Sequence, residues 1–320
     1  MPLFNLSKLR ILMKQYVVGV DVGGTNIKLG IVGPSGRIIS KNSFPTKPFS
    51  SSRSKLIVAL SRAIEGVIAD AGLSKGQVRG VGIGLPGLID YEKGIVKFLP
   101  NIPGWRNVHL KSILQKKIHL PVFVDNDVKI ITLAESKFGA GKGVKNLLCM
   151  TLGTGVGAGL ILNGSLYRGE DNAAGELGHM PLNEHGPKCN CGGFGCYETY
   201  VGNRPLFALA SRMLGKPGMT TLDMYALAQK GNKKALLFWK KAALHIGNGL
   251  VGIVNLLNPR LIIIGGGVSH NEKFLFKTIS ETIVSRAMSV QGAAFKIKRA
   301  KFKDDAGIIG AYVLVTNAQK

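Results

Sequence analysis

The chain has 320 residues, 45% of them apolar and 19% charged, with 43 glycines and 4 cysteines. This composition excludes a disordered chain, and glycines clustered in short motifs exclude a collagen-like one. The length suits two domains whose cores need no disulfide staples, and apolar runs such as residues 251–257 and 261–264 stop well short of a bilayer span. The 42 Lys and Arg outnumber the 18 Asp and Glu, giving a net charge of +24, a field that attracts polyanions of any kind. These basic residues are scattered in ones and twos, as at Lys116 and Lys117 or Lys233 and Lys234. Charged blocks and interleaved aromatics, the marks of a nucleic-acid surface, are missing, so neither nucleic acid nor membrane is an expected partner.

The first dozen residues mix apolar and basic side chains without the apolar stretch and small-residue cleavage site of a secretory signal, which leads us to expect a cytoplasmic protein. Met13 is a candidate internal start, because the periodic pattern opens only at Tyr16. Residues 16–22 are β-branched and apolar, a GGT turn leads to a second such run at 27–32, and PSG leads to a third at 37–43. Three antiparallel strands joined by tight turns are predicted. Leu56, Ile57, Leu60, Ile64, Val67 and Ile68 recur at helical spacing before a glycine stop at Gly72. A buried strand at 78–83 runs into the loop GLPGLID, and another at 121–124 ends in DND just before a helical stretch at 128–138.

The segments NLLCMTLG and VGAGLIL flank GTG and repeat the opening order of strand, glycine turn and strand, which suggests an internal duplication. Beyond a cysteine-rich loop, residues 205–257 read as mostly helical, 261–264 as a strand entering GGG, with a strand near Phe295 and a last helix over 306–315. Such alternation predicts an α/β architecture with helices on both faces of mixed sheets. The domain crossover is expected near Val124: residues 1–124, completed by a C-terminal helix at 305–320, form one lobe, and residues 125–304 form the other.

Three constellations carry chemistry. In DVGGTNIK, residues 21–28, the glycines let backbone N–H groups approach phosphate oxygens, and Asp21 beside such a turn calls for an intervening cation such as hydrated Mg²⁺. The turns LGTGVGAG and GGGV also stand at strand ends, which favours a divided nucleotide site over three unrelated turns. DND, residues 125–127, lies between a strand and a helix; it can serve as a plain N-cap or direct a carboxylate at the proton of an attacking hydroxyl. Finally, His179 with Cys189, Cys191 and Cys196 offers one imidazole and three thiolates, a closed tetrahedral set suited to structural Zn²⁺. With one His179 nitrogen on the metal, the other stays available to a ligand. Cys149, in an apolar segment, reads as a buried reduced thiol.

Taken in order, DVGGTNIK, GLPGLID, PNIPGW, DND, LGTGVGAG, GELGH, CNCGGFGCYE and IIIGGGV resemble the ROK family of sugar kinases and repressors over nearly the whole chain from Tyr16. The resemblance implies an actin-like, ribonuclease-H-like ATPase fold of two lobes with an interdomain cleft. It implies ATP-dependent phosphorylation of a hexose, with the 6-hydroxyl of glucose first among candidates and fructose, mannose, allose, N-acetylglucosamine and N-acetylmannosamine as alternatives. By the same resemblance Asp127 is the catalytic base, and Gly87, Asn101, Asn126, Glu176, His179 and Glu198 join it in contacting the sugar. Asp21, Gly23, Gly24, Thr25, Lys28, Gly153, Thr154 and Gly155 fall on the phosphate side, and Gly265, Gly266 and Gly267 on the adenosine side. MgATP, a structural zinc and a homodimer follow as expectations. VK after DND replaces the small residues usual in the family and is expected to leave the helix intact. The family's repressors add a winged-helix module, for which the roughly fifteen residues before the first strand are too few; a sugar sensor without catalysis is the other alternative, against which the intact Asp127 counts.

Overall fold

A computed structural model describes residues 15–49, 52–99, 102 and 104–319, which divide into two compact units. The first holds everything described up to Gly139 together with residues 168–174 and 304–319; the second holds residues 140–167 and 175–303. Asn101 and the candidate start Met13 lie outside the described residues.

In the first unit, β1 (Tyr16–Val22), β2 (Asn26–Val32) and β3 (Ile38–Pro45) form the expected antiparallel meander. Helix α1 (Arg53–Asp70) follows, capped by the Ser52 side chain, and then β4 (Val78–Leu85) pairs parallel to β1. Short strands β5 (Leu88–Asp90), β6 (Ile95–Phe98) and β7 (Arg106–Val108) make a small antiparallel sheet where GLPGLID reads as loop, because strands of three or four residues show too little alternation to declare themselves. After α2 (Leu110–Ile118), β8 (Val122–Asn126) joins β4 in parallel, completing the order β3-β2-β1-β4-β8, and runs directly into α3 (Asp127–Lys137). One face of the sheet carries α1, whose Leu56, Leu60, Ile64 and Val67 are fully buried with Val18, Val20 and Leu29, each such side chain contributing roughly 2 kcal/mol of transfer free energy.

The second unit repeats the plan. Strands β9 (Leu147–Leu152), β10 (Val156–Leu162) and β11 (Ser165–Tyr167) form an antiparallel meander, and β12 (Leu261–Gly265) and β13 (Lys296–Arg299) extend it in parallel, giving β11-β10-β9-β12-β13. Between β11 and β12 come α4 (Glu198–Val201), α5 (Asn203–Leu214), α6 (Thr221–Gln229) and α7 (Lys233–Leu257), which resolve the expected helical stretch; α8 (Glu272–Arg286) and α9 (Ser289–Ala294) precede β13. Trp239 and Phe238 on α7 pack with Phe274 of α8 in this unit's core.

The chain ends with α10 (Ala306–Ala318), which belongs to the first unit and buries nine residues, apolar all round because it lies against both β1 and α3. Gly19 and Gly82 permit this approach: a Cβ at either would stand 2.3 Å from the Ile308 carbonyl oxygen or 2.7 Å from that of Ala311. Helices thus cover both faces of a mixed sheet. The packing of α3 on α10 and β4 keeps α3 in the first unit, beyond the crossover expected at Val124. Among the described residues no helix is long and apolar enough to cross a membrane.

Candidate functional site

The parallel pairing of β1, β4 and β8 sets Asp21, Gly84 and Asp125 in one row across the sheet. A Cβ on Gly84 would lie in van der Waals contact with the Asp127 Cα, at 3.4 Å, so the start of α3 sits over the end of β4. Asp21 projects onto the first turn of α10, where a Cβ on Gly307 would meet its carboxyl carbon at 2.6 Å. A helix start favours an anion there. Even so, desolvation first and the Asp127 charge second push the Asp21 pKa up to about 6, against the opposing pull of Lys28. Lys28, opposite Asp21 on β2, is paired with Asp304 at 3.2 Å. Hard carboxylate oxygens are the donors that Mg²⁺ takes, so the Asp21 side chain would suit that ion in its donor chemistry.

The DND segment is tied down residue by residue. Asn126 caps α3, its Oδ1 accepting from the Val128 and Lys129 amides at 3.0 and 3.2 Å, while its Nδ2 donates to the Gly87 carbonyl at 3.1 Å. Gly87 and Asn126 therefore meet, as do Asn126 and Asp127. Asp127 Oδ1 accepts from the Val128 amide at 2.8 Å, and the residue is half-buried. The plain N-cap role belongs to Asn126, and Asp127 opens the first turn of α3.

Sequence reasoning missed the group that supports this segment. Asp125 is 1% exposed; its Oδ1 accepts from the Asn126 amide at 2.8 Å, and its Oδ2 accepts from Arg168 Nε at 3.1 Å and Nη2 at 2.7 Å. The guanidinium of Arg168 lies 3.8 Å from the centre of the Tyr91 ring. Lys129, buried on α3 where small residues were expected, donates to the Asn172 carbonyl, so residues 168 and 172 are both bound to the strand–helix junction. Nothing in the sequence sets Arg168 apart from the other basic residues. Thr46 was missed too: it is buried, its hydroxyl donates to the Gly23 carbonyl at 2.7 Å and its amide to that of Thr25 at 2.9 Å, which fixes the turn holding Gly23, Gly24 and Thr25. Gly24 and Thr25 stay exposed at its tip.

In the second unit Gly153, Thr154 and Gly155 form the β9–β10 turn, and Glu198 Oε2 accepts from the Val156 amide beside it at 2.8 Å. Gly265 ends β12, and Gly266 and Gly267 follow, both exposed. GELGH folds as one short turn that presents Glu176 and His179 outward while Leu177 is buried; His179 Nε2 is 4.0 Å from Glu176 Oε2.

The Cys-rich loop is a knuckle held by paired backbone at Lys188 and Phe194 and at Pro181 and Cys196. Its base is fixed by Tyr197, buried, whose hydroxyl donates to the Ile246 carbonyl on α7 at 2.8 Å. Ligand atoms of His179, Cys189, Cys191 and Cys196 all lie within 4.8 Å of one another. Cys189 Sγ is 3.7 Å from His179 Nδ1, and Cys191 Sγ is 3.6 Å from Cys196 Sγ. A tetrahedral zinc with Zn–S bonds near 2.3 Å sets its ligands about 3.5–3.8 Å apart, so the quartet fits the ion. Burial pushes the Cys196 thiol up to about 12, and a bound cation would favour its thiolate. With Nδ1 turned to the cluster, Nε2 of His179 is the nitrogen turned toward Glu176.

Two predictions follow from this geometry. Metal analysis of purified protein is expected to find about one zinc per chain, and Cys191→Ser to lose it together with several degrees of thermal stability; full retention of stability without zinc would contradict a structural role. For Asp21, the folded chain takes up a proton more readily than the unfolded one, so in Mg²⁺-free buffer stability falls as pH rises from about 4 through about 6. Asp21→Asn is expected to raise the melting temperature at pH 7.5 and flatten that dependence, and a variant that melts lower at pH 7.5 would show that Asp21 carries no such strain.

The ROK family model matches residues 17–318. A glucokinase from Halalkalibacterium halodurans is 36% identical over 317 residues, covering 94% of this chain and 95% of the relative. A xylose repressor from Caldicellulosiruptor bescii is 30% identical, covering 93% of this chain and 77% of the repressor. The solved ROK glucokinase from Streptomyces griseus, in complex with glucose and AMPPNP, superposes with a TM-score of 0.81 at 30% identity, covering 94% of this chain and 99% of that one. The fold is the actin-like ATPase fold of the ROK sugar kinases, with two lobes. The chain belongs to the ROK family.

Proposed function

We propose that this protein is an ATP-dependent hexose kinase that transfers the γ-phosphate of ATP to the 6-hydroxyl of glucose. The observation that supports the reading is the strand register of the first unit, which sets Asp21 and the start of α3 at one end of the sheet, so that the candidate base Asp127 shares that end with the DVGGT turn. Phosphoryl transfer asks for little else of a protein. The similarity to glucokinases, one of them solved with glucose and an ATP analogue, supports the same reading.

In this mechanism Asp127 accepts the proton of the sugar hydroxyl as its oxygen attacks the γ-phosphorus in line. The new O–P bond forms while the bond from the γ-phosphorus to the β,γ-bridging oxygen breaks, and ADP leaves. Backbone N–H groups of the Gly23–Thr25 and Gly153–Gly155 turns stabilise the phosphoryl oxygens. Mg²⁺, for which the Asp21 carboxylate is suited, would supply further charge neutralisation when bound. Asn126 holds its amide fixed through Gly87 and α3 and so is ready to orient the sugar. Glu176, His179 and Glu198 serve as further hydroxyl contacts, and zinc would keep His179 in one orientation.

A repressor or a non-catalytic sugar sensor would use the Asp127 carboxylate only as a sugar contact and not as a base. The test is a panel of hexoses in a coupled ADP-release assay with wild type and Asp127→Asn. The wild type is expected to turn over glucose fastest, and the variant to lose at least about 100-fold in kcat while binding glucose within severalfold of wild type. Turnover largely kept by the variant would remove Asp127 as base. A wild type that binds sugar and operator-like DNA yet releases no ADP would establish the repressor reading.

A further inference from the structure

Glu198 has a second set of contacts that a role in sugar binding does not explain. Its Oε2 accepts from the amide of Val156, the residue that follows the Gly153–Gly155 turn, at 2.8 Å. The same oxygen would stand 2.5 Å from a Cβ on Gly155, so it occupies the place of a side chain that the turn lacks. The chain after Glu198 adds to the hold: the Asn203 amide donates to the Gly153 carbonyl at 2.8 Å, and the Gly202 amide donates to the Glu198 carbonyl at 3.0 Å. Residues 198–203 therefore grip the turn through one side chain and one backbone amide.

The grip is rigid at its base. Cys196 pairs with Pro181, the Tyr197 amide donates to the Met180 carbonyl at 2.8 Å, and the Tyr197 hydroxyl is anchored on α7. Glu198 is thus the outermost residue of a fixed post. A carboxylate accepting an amide N–H makes a charge-assisted bond of about twice the ordinary strength. By claiming the Val156 amide it sets the plane of the adjoining peptides, and with them the direction in which the N–H groups of the turn point.

We propose that Glu198 is a positioning residue for the 153–156 turn, so that the carboxylate assigned to the sugar also orders the turn assigned to nucleotide phosphate. The proposal rests on the kinase reading for the identity of both ligands. Loss of Glu198 weakens nucleotide binding even when no sugar is present. Because coupling between binding sites is reciprocal, sugar on Glu198 also alters nucleotide affinity.

The two roles separate in the variants. Glu198→Gln keeps a side-chain carbonyl that can accept from Val156, whereas Glu198→Ala keeps nothing. Calorimetric titration of the full chain with MgADP, without sugar, is expected to show about tenfold weaker binding for Glu198→Ala, the loss of one charge-assisted bond. Glu198→Gln is expected to stay within threefold of wild type, although both variants lose glucose affinity. Hydrogen exchange at the Val156 amide is expected to rise in Glu198→Ala alone, which separates a loosened turn from a misfolded unit. Wild-type MgADP affinity in Glu198→Ala, or equal losses in both variants, would overturn the positioning role. A wild type that binds MgADP but phosphorylates no sugar would overturn the kinase reading and leave the positioning role standing; a wild type that binds no MgADP would overturn both.

Discussion

Two carboxylates that repel each other, Asp21 and Asp127, are held at one end of one sheet, and the first unit is organised to keep them there. Gly307 clears the space beside Asp21, and Gly19 and Gly82 let α10 lie close enough to bring its positive end to Asp21. At each of these glycines a side chain would push α10 off the sheet. Burial makes Asp21 costly to ionise, and Lys28 offsets that cost only in part. Asp125, deeper in the same segment, is treated in the opposite way: it is fully matched by Arg168 and is structural support.

The two units use one topological plan for different ends. Both sheets run third, second, first, fourth and fifth strand, with an antiparallel meander extended by parallel strands. In each, the first hairpin supplies a glycine turn. In the first unit that turn is braced by Thr46 and stands near Asp21; in the second it is braced by Glu198, which follows the Cys–His knuckle. A duplicated fold thus presents two similar backbone cradles and lets the inserted segments decide what surrounds them.

Much of this was legible in the chain. The meanders announced themselves through β-branched runs broken by glycine, α1 through its apolar spacing, and the Cys–His quartet through a donor set that has little other use. The resemblance to ROK proteins rested on ordered motifs, and the family match covers the same residues. What stayed hidden depends on distance along the chain. Arg168 meets Asp125 across 43 positions, and Thr46 meets Gly23 across 23; neither belongs to a local pattern, and a buried ion pair leaves no periodicity. The small sheet β5-β6-β7 was hidden because its strands are too short to alternate. Lys129 looked like a neutral change of a small residue, yet its ammonium reaches the Asn172 carbonyl, a role that helical spacing cannot report.

The account turns on where the terminal phosphate of ATP goes. Phosphorus and carbon NMR of wild-type protein with MgATP and carbon-labelled glucose reads this directly. Glucose 6-phosphate formed one for one with ADP, and no free phosphate, is the outcome the account predicts. Release of free phosphate without a sugar phosphate, or no consumption of ATP with any hexose offered, would contradict it.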